Sequence, residues 1–439
     1  MRLLLRNGRV VDPANGIDDV RDLLIEDGKI VKAARGPKGA AETGGSGTRM
    51  IDCDGLVVAP GFVDMHVHLR EPGREDKETI ESGGRAAAAG GFTSVACMPN
   101  TQPVNDDQSV TGFITAQARR HCLPRVYPIG AISKGLKGEE LSEIGELVRV
   151  GCVAISDDGM PVASGFLMRK ALEYARMFDI PVINHAQDPK ISDGGVMNEG
   201  YHSTILGLRG MAGVAEEVMI FRDLRLAELT GSRLHVPHIS TARAIDLVRE
   251  ARRRGVAVTC EVTPHHLTLT EEAVRGYDTN TKMNPPLRTE ADRQALIEGL
   301  RDGTIDAVAS DHAPHCLEEK EVEYDLAPFG VVGLETSVAL GLDGLVKAGH
   351  IDLKRFVEIY STNPAKILNL PGGTLSEGAL ADVTVFSTTR ETIVRPERFL
   401  SRSRNTPFAG RRLSGGVVMT IVGGEVSFAA EERMQTSRA

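Results

Sequence analysis

Two histidines one residue apart, His66 and His68, close the apolar run Leu56–Met65. On a β-strand, residues i and i+2 share a face, so both imidazoles would point the same way. Two neutral ring nitrogens on one face can grip a single divalent ion. An isolated pair of this kind serves equally well as two satisfied core histidines, so the rest of the chain decides. Asp157 and Asp158 follow the run Cys152–Ser156, and His185 ends the run begun by Pro181. His238 follows Leu234–Pro237, and Asp311 follows Ala307–Ser310. Taken singly, a strand-terminal Asp caps a turn and a lone His fills a core. Together they set four histidines and two acids at the ends of separate β-rich runs. His and Asp ligands without thiolates suit Zn²⁺, with Mn²⁺, Co²⁺ and Fe²⁺ also admissible. His235 shares a face less well with His238 and reads as structural. His265 and His266 read as pocket-lining.

Eight β-rich runs position these groups: 57–68, 93–99, 125–133, 152–158, 181–186, 233–240, 256–264 and 306–311. Helical patterns fall between them, at Glu78–Ala89, Ser164–Phe178, Ala215–Leu229, Ala242–Arg254 and Glu290–Asp302. Eight β-then-α units predict an α/β protein with a TIM-type (β/α)8 barrel over 58–369, a fold that builds its sites at the carboxyl ends of its strands. A doubly wound open sheet is the competing architecture, but no GxGxxG follows the first strand. The ends read differently, with short strands and the turn signals Asn7-Gly8, Asp27-Gly28, Asp54-Gly55 and Gly423-Gly424. Residues 1–57 and 370–428 are therefore expected to pair into a small composite β-sandwich domain. Gly36–Gly47 reads as a mobile loop and 429–439 as a flexible tail.

The chain has 439 residues, a net charge of −9 and a pI near 5.8. That balance argues against nucleic acid or an anionic membrane as the main partner, without excluding a local cationic pocket. Six scattered cysteines without a CxxC pair suggest reduced thiols. No apolar run suits a signal peptide or approaches the roughly 20 residues that cross a bilayer. A cytoplasmic enzyme is expected.

The motifs then become specific. They are GFVDMHVHLREPG (61–73), AAAAGGFTSVACMPNTQP (86–103), SDDG (156–159), KMNPPLR (282–288) and ASDHAPH (309–315). With the order HxH, Asp, His, His, Asp, they resemble the amidohydrolase superfamily and, in detail, the dihydroorotases of the bacterial type I class. Many relatives place a carbamylated lysine after strand four, whereas this chain has Asp157-Asp158 there. The resemblance favours Asp158 as the ligand and leaves Asp157 to cap or orient the loop. It implies zinc held by His66, His68, Asp158, His185, His238 and Asp311, as one or two ions per chain with two favoured. The implied reaction is reversible hydrolysis of dihydroorotate to N-carbamoyl-aspartate in de novo pyrimidine biosynthesis, with Asp311 as the catalytic proton carrier.

The substrate's own carboxylate needs a partner, and Arg70, two residues past His68, can hold one bidentately. By resemblance, Asn100 and His315 complete that clamp and Asn284 contacts the pyrimidine ring. A homo-oligomer is expected. The long stretch Gln187–Gly210 is functional or disordered by its length, and relatives of this type can associate with aspartate transcarbamoylase. Two rival readings stand beside this one. The first is another cyclic amidase, namely an allantoinase, hydantoinase or dihydropyrimidinase. The second is a non-catalytic scaffold subunit, which would be expected to lack some of the six ligands.

Overall fold

The computed structural model describes residues 2–35 and 47–430. The predicted mobile loop lies outside the described residues except for Gly47, as does the predicted tail from 431 onward. Eighteen strands are named here in chain order. The first five are Arg2–Asp12 (β1), Ile17–Glu26 (β2), Lys29–Arg35 (β3), Thr48–Asp52 (β4) and Val57–Pro60 (β5). Next come Phe62–Val67 (β6), Phe92–Cys97 (β7), Arg125–Pro128 (β8), Ile155–Ser156 (β9) and Val182–Ile183 (β10). Met197–Asn198 (β11) and Gly210–Met211 (β12) follow, then Leu234–Val236 (β13), Val258–Val262 (β14) and Ala307–Val308 (β15). The last three are Val383–Ile393 (β16), Arg412–Val422 (β17) and Glu425–Ala429 (β18).

The barrel strands run parallel in two sheets, β6-β7-β8 and β9-β10-β13-β14-β15. Isolated parallel bridges join them, Gly130 to Ile155 on one side and Val67 to His312 on the other. The neighbours thus return to β6 in ring order, as a (β/α)8 barrel requires. A helix follows each of the eight strands, beginning with Ile80–Ala89 and ending with Leu334–Gly341. Side chains of Thr79, Asp107, Ser164, Thr241 and Thr289 cap five of them by accepting the free first-turn N–H groups.

The run 57–68 is two strands rather than one. The chain breaks at Gly61, where an added Cβ would fall 2.1 Å from Thr93 Oγ1. Upstream, β5 pairs with β1 and β16; downstream, β6 enters the barrel. The expected β-sandwich is one continuous eight-stranded sheet, ordered β18-β17-β16-β5-β1-β2-β3 with β4 on β1. Continuity comes from β1, whose edge pairs with β4 over Arg2–Arg6 and with β5 at Arg9 and Val10. Its apolar face packs Leu3, Leu5, Leu23, Ile25, Val383 and Ile421. Ala429 ends β18 instead of starting a tail.

Phe62 joins the two parts. Its ring lies 5.6–6.5 Å from those of Tyr360, Phe386, Phe356 and Phe92 and is fully buried. Phe62→Ala is expected to cost about 3–5 kcal/mol, because the rigid surroundings cannot collapse into the space. Urea unfolding of the variant measures it, and a loss under about 1 kcal/mol would contradict this packing role.

Candidate metal centre

His66 lies within β6, and His68 follows just beyond its end. The His68 N–H donates to His312 O at 2.8 Å, which ties this exit to the segment after β15. Asp158, His185, His238 and Asp311 follow β9, β10, β13 and β15 within three residues each. All six are buried. Arg70, His238 and Asp311 adopt φ of 61°, 34° and 47°, a left-handed backbone that costs a non-glycine residue about 1 kcal/mol. Such strain persists where the surroundings over-determine it.

Their ligand atoms converge. Nε2 of His66 and Nε2 of His68 each lie 3.4 Å from an Asp158 oxygen, and 3.5 and 3.3 Å from Asp311 Oδ1. On the other side of Asp158, His238 Nε2 is 3.4 Å and His185 Nδ1 3.7 Å from Oδ1. Two groups able to hold a metal ion result, His66–His68–Asp158 and Asp158–His185–His238, and Asp158 belongs to both.

The far sides of three of the four rings are already committed, while His238 Nδ1 is buried without a hydrogen-bond partner. His66 Nδ1 donates to Glu261 Oε1 at 2.9 Å, and His68 Nδ1 to Asn100 Oδ1 at 2.8 Å. His185 Nε2 donates to Gln187 Oε1 at 2.9 Å. These contacts leave lone pairs facing inward. His66 Nε2 is buried there without a hydrogen-bond partner, an arrangement that suits a bound cation. Burial works against charge on Asp158, yet His66, His185 and His238 hold its carboxyl well below the usual range. Asp311 is likewise held low against burial by His68, His66 and His238. The donor set is thus two ionised carboxylates among neutral-capable imidazoles, which fits a divalent ion.

The two adjacent acids part company. Asp157 turns away and accepts from Ile132 N at 2.7 Å, Ser133 N at 3.0 Å and the Ser133 hydroxyl. Burial lifts its carboxyl to about 6 despite those donors. Asp157→Ala orphans two backbone N–H groups and is expected to cost about 2–4 kcal/mol, while metal uptake persists. Metal analysis beside a denaturant melt checks both halves; loss of metal in a folded variant would contradict the orienting role.

The substrate-facing residues are less uniformly placed. Arg70 does not continue a strand face, since β6 ends at Val67 and the chain turns at Arg70 itself. Its Nε donates to Pro314 O at 3.2 Å. Burial lowers its guanidinium to about 10, opposed by the charges of Asp311 and Asp158. His315 has both ring nitrogens engaged, Nε2 with Phe329 O at 2.8 Å and Nδ1 within 3.2 Å of Lys77 Nζ and Glu319. Burial and the cations Arg70, Lys77 and Lys320 push it down to about 3, so it is a neutral ring. Asn284 donates to Gln187 Oε1 at 2.6 Å, and its own Oδ1 is buried without a partner.

Sequence reading passed over Glu261 and Gln187. A carboxylate inside the apolar strand Val258–Val262 was the available signal for Glu261. Gln187 had none. The stretch Gln187–Gly210 is ordered, with helices Pro189–Ser192 and Tyr201–Leu206 and the ladder of β11 with β12. Arg288 pins it through Asn198 Oδ1 at 2.8 Å and Met211 O at 2.9 Å. His235 stays out of the cluster, 3.2 Å from Glu261.

Comparison with known proteins places the chain in a family. Residues 55–244 match a family model described as dihydro-orotase-like, and 338–428 match one described as amidohydrolase family. A dihydroorotase of Pelotomaculum thermopropionicum is 55% identical over 97% of this chain and 98% of its own. One of Geobacter metallireducens is 52% identical over 98% of this chain and 100% of its own. Among solved structures, an L-hydantoinase (dihydropyrimidinase) from Arthrobacter aurescens superposes with a TM-score of 0.86 at 27% identity, covering 97% and 95% of the two chains. Dihydropyrimidinase from Brevibacillus agri gives 0.84 at 24% over the same shares, a likeness of fold. With its motifs placed around one barrel mouth and relatives above 50% identity over nearly its whole length, this chain belongs to the dihydroorotase family within the amidohydrolase superfamily.

Proposed function

We propose that this protein interconverts dihydroorotate and N-carbamoyl-aspartate in pyrimidine biosynthesis, using a metal centre of one or two zinc ions, with two favoured. The observation that carries the reading is Asp158 shared between two histidine pairs at the barrel mouth, in a chain about half identical to dihydroorotases. His66, His68, Asp158, His185, His238 and Asp311 would hold the metal. A divalent ion bound there supplies Lewis acidity and lowers the pKa of water from 15.7 toward about 7.

The protein's own groups do the rest. Arg70, with Asn100 as its partner in the clamp, grips the substrate carboxylate and so fixes the ring in the mouth. Asn284 offers its unpartnered Oδ1 to a ring N–H. Asp311, kept ionised by its histidine neighbours, accepts the proton of the attacking water and returns it to the departing ring nitrogen. His315 completes the carboxylate site once a ligand replaces one of its protein contacts.

Cyclisation joins a carboxylate to a neutral ureido group and consumes a proton. The equilibrium ratio of cyclic to open form is therefore expected to rise about tenfold for each unit fall in pH, in the range where the open form is fully ionised. Ultraviolet detection of the ring at pH 6 and pH 7 measures it, and a pH-independent ratio would contradict the assigned reaction. Activity assays with dihydroorotate, dihydrouracil, hydantoin and allantoin test the assignment itself. Turnover of dihydroorotate at least about 100-fold above the others is expected, whereas preference for an uncharged ring would favour the hydantoinase reading. The scaffold reading is opposed by the presence of all six candidate ligands at one mouth.

The proposal extends to cytoplasmic location and to assembly. Among the described residues no helix is long and apolar enough to cross a membrane, and no disulfide joins the six cysteines. Val214, Val218, Phe221 and Leu229 form an exposed apolar stripe along helix Val214–Thr230. That stripe supports a homo-oligomer, and aspartate transcarbamoylase is the partner proposed from family resemblance. Sizing of the protein alone and mixed with that enzyme tests both.

A further inference from the structure

We propose that Glu261 is a positioning residue for the metal centre, with His235 as the buttress behind it. The idea rests on the metal-dependent reading above and adds the groups that set the tautomer and ligand strength of His66. Glu261 lies within β14 at 1% exposure, and its two oxygens face two different imidazoles. Oε1 accepts from His66 Nδ1 at 2.9 Å, while Oε2 is 3.2 Å from His235 Nε2. His235 Nδ1 in turn lies 2.8 Å from the Thr259 hydroxyl.

A carboxylate oxygen accepts, so Glu261 Oε1 calls for a proton on His66 Nδ1, and a proton on His235 Nε2 would face Oε2 at 3.2 Å. The Thr259 hydroxyl then donates to His235 Nδ1. With Nδ1 committed, His66 can present only its Nε2 lone pair toward Asp158 and Asp311, where that atom has no protein partner. A buried negative charge behind the ring also strengthens that lone pair as a ligand. His235 alone would satisfy a merely structural carboxylate; the second oxygen is directed to a ring that faces the centre.

The test is Zn²⁺ affinity of the full-length metal-free protein, measured by competition with a chelator. Glu261→Gln keeps the side-chain shape but removes the charge and turns an amide N–H₂ toward one of the rings. Zn²⁺ affinity is expected to fall 10- to 100-fold in that variant, and less in His235→Gln, which retains a donor toward Glu261. Unchanged affinity in a folded Glu261→Gln protein overturns the proposal while leaving the metal reading intact. Wild-type protein that takes up no Zn²⁺ overturns both. Nitrogen-15 imidazole spectra of the wild type need no folded variant of Glu261. A proton on Nδ1 of His66 and on Nε2 of His235 supports the assignment, and a His66 ring that carries no proton on Nδ1 overturns it.

Discussion

Asp158→Asn is expected to reduce dihydroorotate turnover by at least about 10³-fold and to strip metal from both halves of the centre. The reason is geometric: four histidines lie within 3.7 Å of its carboxylate, His66, His185 and His238 at Oδ1 and His68 at Oδ2. The amide preserves volume but removes the one charge common to both groups. Groups that act as a unit lose nearly all their effect when one member goes, so the loss approaches that of the whole centre. Metal analysis and single-turnover assays read it. Stoichiometric zinc in a folded Asp158→Asn protein would refute the shared-ligand role. Asp157→Ala serves as the neighbour control, because its carboxylate binds the Ile132–Ser133 backbone instead.

Arg70→Ala is expected to weaken dihydroorotate binding by about 2–4 kcal/mol, roughly 30- to 10³-fold, with metal content unchanged. A half-buried guanidinium facing two carboxylates of the centre is costly to keep, and burial already lowers it to about 10. A substrate carboxylate supplies the missing counter-charge and makes charge-assisted hydrogen bonds. Dihydrouracil, which has the ring without the carboxylate, should lose little, so the ratio of KM values for the two rings isolates the clamp. Equal losses on both rings would mean that Arg70 supports the loop through Pro314 and does not read the carboxylate.

Much of this was legible in the sequence because the signals are local. Eight β-rich runs with helical stretches between them outlined the strand–helix units, and the folded chain shows threonine, serine and aspartate capping five of the helices. The six candidate ligands stand at strand ends, and an α/β barrel brings its strand ends to one face whatever the loops do. Which acid of the 157–158 pair turns inward could not come from pattern alone, since adjacent residues differ only in direction. The split of 57–68 at Gly61 depends on Thr93, which lies 32 residues away and touches only in the folded chain.

The sequence by itself pointed to the barrel and to candidate ligands at its strand ends, through residue type and spacing along single strands, and to the family through the motifs that resemble it. Only the tertiary structure decided the pairing of Glu261 with His66 and His235, the engagement of both His315 nitrogens and the latch of Arg288 on the stretch Gln187–Gly210 after β10. Those contacts join groups as far as 238 residues apart in the chain. They exist because barrel closure sets non-consecutive strands and their loops side by side, and no local pattern specifies which side chains then meet.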